Sequence, residues 1–191
     1  KMMDYPRLKA EIAQLREQGI YRGIGFATLI ELTNPSAAFY GVGGARIASQ
    51  DGCTIRLDPS GAISVSVSVG EQGQGNDGIY RQISADGVGV DLEKVRLIMS
   101  DTDVTPYGGG TWASRGAGVG GEAVLLASQA LRANILKLAA VILKRSEAEL
   151  TVRRGHVVDA QTLESVLDFA ELGRIAYFRS DLLPNDFTPE L

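Results

Sequence analysis

The chain is poor in the side chains from which most self-contained catalytic centres are built. Its 191 residues hold one cysteine, Cys53, and one histidine, His156. Those counts nearly exclude a protein-ligated zinc site, an iron–sulfur cluster and an internal disulfide. A Ser-His-Asp or Cys-His relay would have to run through His156. That residue stands in RRGHVVD, a hairpin-like stretch better read as presenting an exposed histidine. Cys53, in QDGCTIRL, reads as a strand-turn residue. No uninterrupted apolar run approaches the roughly 20 residues of a membrane span. The start, KMMDYPRLKAE, has no apolar signal core. Basic runs are missing too: 19 Lys and Arg face 23 Asp and Glu, for a net charge of −4. This balance argues against nucleic acid or an anionic membrane surface as partner. A reduced, cytoplasmic setting is the default that these absences leave.

Glycine, by contrast, is in excess. The chain has 23, about 12% against an ordinary level near 7%. They concentrate in two places: GEQGQGNDGIYRQ at residues 70–82, and GGGTWASRGAGVGG at 108–121. The rest of the composition, 45% hydrophobic and 22% charged, is ordinary for a globular chain with room for one substantial domain or two small ones.

Along the chain, Asp4 can cap a helix with Pro6 in its first turn, Leu8, Ile12 and Leu15 on one face, and Gly19 as its stop. YRGIGFATLIELT reads as a buried strand, NPSAAFYGVGG as a loose segment, and ARIASQ and TIRL as strands parted by a turn at Asp51-Gly52. Asp58-Pro59-Ser60-Gly61 is a turn. ISVSVSV, residues 63–69, alternates strictly, with Ile63, Val65, Val67 and Val69 inward. Its outer face carries serines instead of charges, which predicts that this face is partly covered too.

A helix is expected from Asn76, with Gly87 and Gly89 ending it, and a strand at VRLIMSD. The longest helix follows the second glycine cluster, with Val124, Ala127, Leu131, Ile135, Leu138 and Ile142 on its apolar face. Ser146 and Glu149 form a capping-box pattern. LTVRRGHVVD reads as a hairpin, TLESVLDFAEL as a short helix, and IAYFRSDL as the start of an extended segment. Mixed strands and helices with hairpins give an α+β class: a mixed sheet with helices packed on it.

Each glycine cluster stands where a strand gives way to a helix. A helix N-terminus offers unpaired amides and the positive end of the dipole, which suit an anion. Glycine removes the Cβ that would hold such a ligand away. Gln74, Thr111, Ser114 and Arg115 can read the rest of it. The fingerprints of dinucleotide folds and P-loops are absent. On the residues alone, two tight structural corners explain the glycines equally well.

The ordered set GEQGQGNDGIYRQISADGVGV, SDTDVTPYGGGTWASRGAGVGGEAVLLASQALR and upstream YRGIGFATLIELT resembles one family. It is similar to the molybdenum-binding large subunit of the xanthine dehydrogenase, aldehyde oxidase and carbon monoxide dehydrogenase family, over nearly the whole chain. The resemblance implies a connecting helix at 1–19 and a partial molybdopterin-binding domain at 20–191, incomplete at its C-terminal end. It implies that Gln74 lies beside the molybdenum without ligating it, and that Gly73 and Gly75 let the backbone approach the pterin. Thr111, Ala113, Ser114 and Arg115 would line the pterin and its phosphate. The implied cofactor is molybdopterin, in its cytosine dinucleotide form. Oxygen would come from water, and electrons would leave through iron–sulfur and flavin subunits or domains.

Some family features are missing from these residues. The G-x-G-E-type motif whose glutamate acts as base is absent, and neither Glu71 nor Glu122 stands in such a motif. The cysteine-bearing loop of the CO-oxidising members is not matched by Cys53. The expectation is therefore a segment of a larger subunit with no catalytic residue of its own, inactive alone, with or without cofactor, and prone to self-association through uncovered apolar faces. A non-catalytic module that keeps the fold for assembly, or for a phosphate-bearing ligand, is the alternative. Substrates from aldehydes to N-heterocycles to CO stay open.

Overall fold

A computed structural model describes residues 3–191, of which the chain divides by contacts into two units after Glu31; residues 1–2 of the expected connecting helix lie outside the described residues. In the first unit, α1 (Tyr5–Glu17) forms as its sequence asks. The Asp4 carboxylate accepts from the Arg7 amide and Pro6 sits in the first turn, where no amide partner is needed. Tyr5 meets Phe26 edge-on at 5.5 Å, and Glu11 pairs with Arg7 and Arg22.

The buried strand expected at YRGIGFATLIELT is not found. Residues 21–33 have no helix or strand and are exposed, with Phe26 at 70% and Leu29 at 74%. An apolar run becomes a strand only when a neighbour takes up its amides and carbonyls. Among the described residues no strand pairs with this one.

The second unit, Leu32–Leu191, is organised by two three-stranded sheets. In the first, β1 (Cys53–Leu57) pairs antiparallel with β2 (Ile63–Val67), and β2 pairs parallel with β3 (Val95–Met99). The tight turn at Asp58–Gly61 joins β1 to β2, with the Gly61 amide donating to the Asp58 carbonyl. A parallel partner cannot be reached by a hairpin, so the chain crosses over through α3 (Asn76–Val88). Ile63, Val65, Val67 and Val69 are fully buried, as their alternation predicts. The serine face is covered as well, because each hydroxyl has a neighbour. Ser64 donates to Asp58, Ser66 to the Val104 carbonyl, and Ser68 to Asp51.

ARIASQ is not a strand; residues 45–50 are irregular, and a short helix α2 (Ala37–Tyr40) precedes them. Their carbonyls serve a different purpose, because Ala48 accepts from Arg115 and Gln50 from the Gly109 amide. The long helix α4 (Gly121–Leu143) is entered through a widened π turn at Gly116–Gly120. Together, Gly116–Leu143 is long and apolar enough to cross a membrane by length and composition alone. Its apolar face is taken by protein: Val124, Leu131, Ile135 and Leu138 sit in the core with Tyr80, Val88 and the β2 valines. It is the core helix of the domain.

In the second sheet, β4 (Leu150–Arg153) and β5 (His156–Asp159) form the expected hairpin, preceded by the complete Ser146–Glu149 capping box. The helix read at TLESVLDFAEL is half strand. β6 (Ser165–Asp168) pairs with β5, and Asp168 then caps α5 (Phe169–Phe178). The residues IAYF, read as extended, continue that helix because Phe169, Leu172 and Ile175 recur on one buried face. The class remains α+β.

Candidate cofactor-binding site

Two turns 30 or more residues apart meet at the carbonyl of Gly70. The Thr111 hydroxyl donates to it at 2.6 Å, and the Asn76 side-chain amide at 3.4 Å. Gln72 donates back to the Thr111 carbonyl at 3.4 Å. The structure therefore brings all seven residues singled out from sequence, Gly73, Gln74, Gly75, Thr111, Ala113, Ser114 and Arg115, onto two loops that are bonded to each other.

The first turn leaves the end of β2 and closes at the start of α3. Gly73 and Gly75 both take left-handed backbone, with φ of 98° and 86°. A side chain at either would be strained in conformation, although a Cβ placed there would meet nothing within 4 Å. Backbone of this kind faces open space, as close approach by a flat ligand requires. Gln74 stands between the two glycines, exposed, with its Oε1 accepting from the Gln72 amide at 2.7 Å. Its amide nitrogen is the end left to read a ligand.

The amide-rich start of α3 is not an open anion site, contrary to the sequence expectation. The Glu71 carboxylate fills it. It accepts from the amides of Gly73 at 2.6 Å, Gly75 at 3.0 Å and Asp77 at 3.1 Å. These bonds, the Gly75 amide first, hold the Glu71 carboxyl below the usual carboxylate range. An acidic side chain supplied by the turn has taken the place that the dipole offers to anions.

The second turn is more tightly built. Gly109 donates its amide to Asp51, and the Trp112 indole donates to the Gly109 carbonyl at 3.0 Å. Ala113 and Ser114 are consecutive non-glycine residues with φ of 47° and 50°. Such backbone costs energy for an L-residue and persists only where its surroundings impose it. Arg115 imposes it here. Its guanidinium is fully buried and donates to Asp51 at 2.8 Å, to the Ala48 carbonyl at 2.8 Å and to the Tyr40 hydroxyl at 2.9 Å. It also lies over the rings of Tyr40 and Trp112. The cation foreseen as a reader of ligand phosphate faces inward in this structure and frames the loop.

Asp51 completes the frame, accepting from Arg115, Gly109 and Ser68 together. In sequence it reads only as a turn residue before Gly52, and nothing local announces a partner 64 positions away. Tyr80 was missed for the same reason. Its hydroxyl donates to the Gly116 carbonyl at 2.9 Å and so ties α3 to the entry of α4, and burial pushes its phenol pKa up. Glu71 did leave a signal, an acidic residue just before a glycine-rich helix start. Burial pushes the Cys53 thiol up to about 12, so it is no nucleophile at neutral pH. His156 is bonded to Ser165 on the second sheet, in the hairpin foreseen for it.

Two cavities of about 500 and 410 Å³ flank the start of α4, both lined by Asn34, Gly118 and Glu122. Gln74 itself is exposed. Among the described residues, no group of three or more His, Cys, Asp or Glu side chains could hold a metal ion. A metal at this surface would have to arrive with its own ligands.

An α+β domain that sets a glutamine between left-handed glycines, beside a second strained turn, defines a class. The molybdopterin cofactor-binding domain family matches residues 1–187, and the chain belongs to it. It is 31% identical over 95% of its length to the xanthine dehydrogenase molybdenum-binding subunit of Escherichia coli O157:H7. It is 34% identical over 78% of its length to the carbon monoxide dehydrogenase large chain of Hydrogenophaga pseudoflava. The structure of quinoline 2-oxidoreductase from Pseudomonas putida 86 superposes over the whole chain with a TM-score of 0.78 at 29% identity. The chain spans 23%, 19% and 24% of those three proteins.

Proposed function

We propose that the chain is the pterin bed of a molybdenum hydroxylase large subunit. One observation supports this reading most: the two glycine turns share the Gly70 carbonyl and form one surface, whose left-handed glycines face open space. That surface fits a flat, polar group carrying its own metal. Gly73 and Gly75 let the pterin lie against backbone. Gln74 stands beside the metal, where a neutral amide can donate a hydrogen bond without competing as a ligand. Thr111, Ala113 and Ser114 line the pterin and its phosphate, and Arg115 joins that set by holding their loop from behind. The form of the cofactor in this reading is the cytosine dinucleotide.

When bound, the group supplies two-electron redox chemistry, by which a small aldehyde, an N-heterocycle or CO is oxidised with oxygen taken from water. The chain's own part is to bind, orient and hydrogen-bond. No residue of it is assigned as catalytic base, and the isolated chain is expected to be inactive. Electrons leave through iron–sulfur and flavin subunits or domains, in the cytoplasm. The relatives' names support a multi-subunit setting, since two of them are themselves subunits or chains of larger enzymes.

The test is to isolate the complete large subunit and assay molybdenum and pterin, then repeat with Gln74→Ala. The expected result is one cofactor per subunit in the wild type. The variant should fall in turnover by about tenfold or more, as for other single transition-state hydrogen bonds, with its melting temperature unchanged. An active wild-type enzyme without molybdenum or pterin would remove the reading. A variant that melts early yet turns over normally when folded would remove the role of Gln74.

A further inference from the structure

We propose that Glu71 is the positioning residue of the glycine turn: its carboxylate sits in the turn as a built-in anion and holds Gly73–Gly75 in the form that presents Gln74. The inference rests on the cofactor reading only for its final readout.

The geometry carries it. Three backbone amides within five residues converge on one side chain: Gly73 at 2.6 Å and Gly75 at 3.0 Å on Oε1, and Asp77 at 3.1 Å on Oε2. A hydroxyl or a single carbonyl lacks the two oxygens and the charge that this spread of donors uses. The start of α3 needs such help. Its capping residue is Gly75, which has no side chain to satisfy the first amides. Glu71 does that work from upstream, reaching across the turn. Both glycines are left-handed and face open space on the side a Cβ would take, so this backbone is held by bonds within the turn, the three to the Glu71 carboxylate foremost. Gln74 lies between them, its backbone placed by the carboxylate's bonds to the two flanking amides and its side chain held by the Gln72 amide. The Asp77 side chain adds a second negative group in the first turn of α3.

A consequence separates the two turns by task. With Glu71 in place, the ring of amides at 73, 75 and 77 already holds its anion and does not bind phosphate. The polar tail of a cofactor then belongs to the Thr111–Ser114 turn, and the first turn offers a shaped backbone and one glutamine. Glu71 thus acts on a ligand through Gln74 and is not a catalytic residue.

Three measurements on the wild type, Glu71→Ala and Glu71→Gln test this. Glu71→Gln keeps the size and one acceptor oxygen, so it guards against a packing defect in the alanine variant. Amide hydrogen exchange at residues 73–77 should be about tenfold or more faster in both variants, the scale of lost charge-assisted bonds, while β2 and α4 exchange as in the wild type. Excess formate should then restore protection in Glu71→Ala by entering the vacated ring, and should leave the wild type unchanged. Unaltered exchange would overturn the proposal. So would faster exchange that formate does not reverse, since the loss would then be one of packing. Finally, the loaded protein should carry several-fold less molybdopterin in both variants. Equal loading in wild type and variants would refute the positioning role. A wild type that never carries molybdopterin would instead refute the cofactor reading, and exchange with formate would still judge the turn.

Discussion

At the scale of single residues, the two joined turns depend on two acidic groups placed differently. Glu71 works at the surface on backbone amides, and Asp51 works in the interior on Arg115. The second pair is fully buried on both sides, so its worth lies in position more than in net stability. Removing one member leaves the other charged and unpaired. Arg115→Ala is therefore expected to destabilise the domain by about 3–5 kcal/mol, and Arg115→Lys to recover only part of this because a point charge cannot meet Asp51, Ala48 and Tyr40 together. Denaturant midpoints of the two variants check it; a loss below about 1 kcal/mol in Arg115→Ala would mean that the loop keeps its form without the cation. Sequence reading singled out Gln74, Thr111 and Ser114 because glycine density marks a turn and polar residues between glycines mark its tools. It could not reach Asp51 or Tyr80, whose partners lie 64 and 36 positions away. Such pairings are written in the fold and not in any local pattern.

At the scale of elements, the readings that held were those with a local period or a local cap. The alternation of ISVSVSV, the Ser146–Glu149 box and the long apolar face of α4 each contain their own evidence. Those that failed needed a partner from elsewhere: 21–33 lacks a neighbouring strand among the described residues, and Ser165–Asp168 is a strand because β5 lies beside it. Packing also decides what glycine does within one helix. In α3, a Cβ at Gly87 would stand 2.6 Å from the Cβ of Ser128 in α4, whereas at Gly78 it would meet nothing within 4 Å. Alanine is the better helix former by about 0.5–1 kcal/mol. Gly78→Ala should therefore stabilise by up to that amount, while Gly87→Ala should destabilise by pushing α3 off α4. Thermal melts of the two variants check the contrast. Stabilisation by both would show that the two helices can part at no cost.

At the scale of the whole molecule, one crossover organises the site. Because β3 runs parallel to β2, α3 must carry the chain back across the sheet, and both connections leaving the same ends of those strands come together at Gly70. The α+β class was legible in the alternation of patterns. The meeting of the two glycine clusters was not, since it follows from strand order, which no single segment states. The resemblance to molybdenum-binding subunits supplied the expectation of a shared ligand, and the joined turns are where the proposed function puts it. The most direct test is a structure of the cofactor-loaded large subunit. The account predicts the pterin lying against the backbone of Gly73–Gly75, with Gln74 toward the metal, the polar tail at Thr111–Ser114 and the Glu71 carboxylate still on its three amides. Pterin density on another face of the domain, with both turns bare, would contradict it.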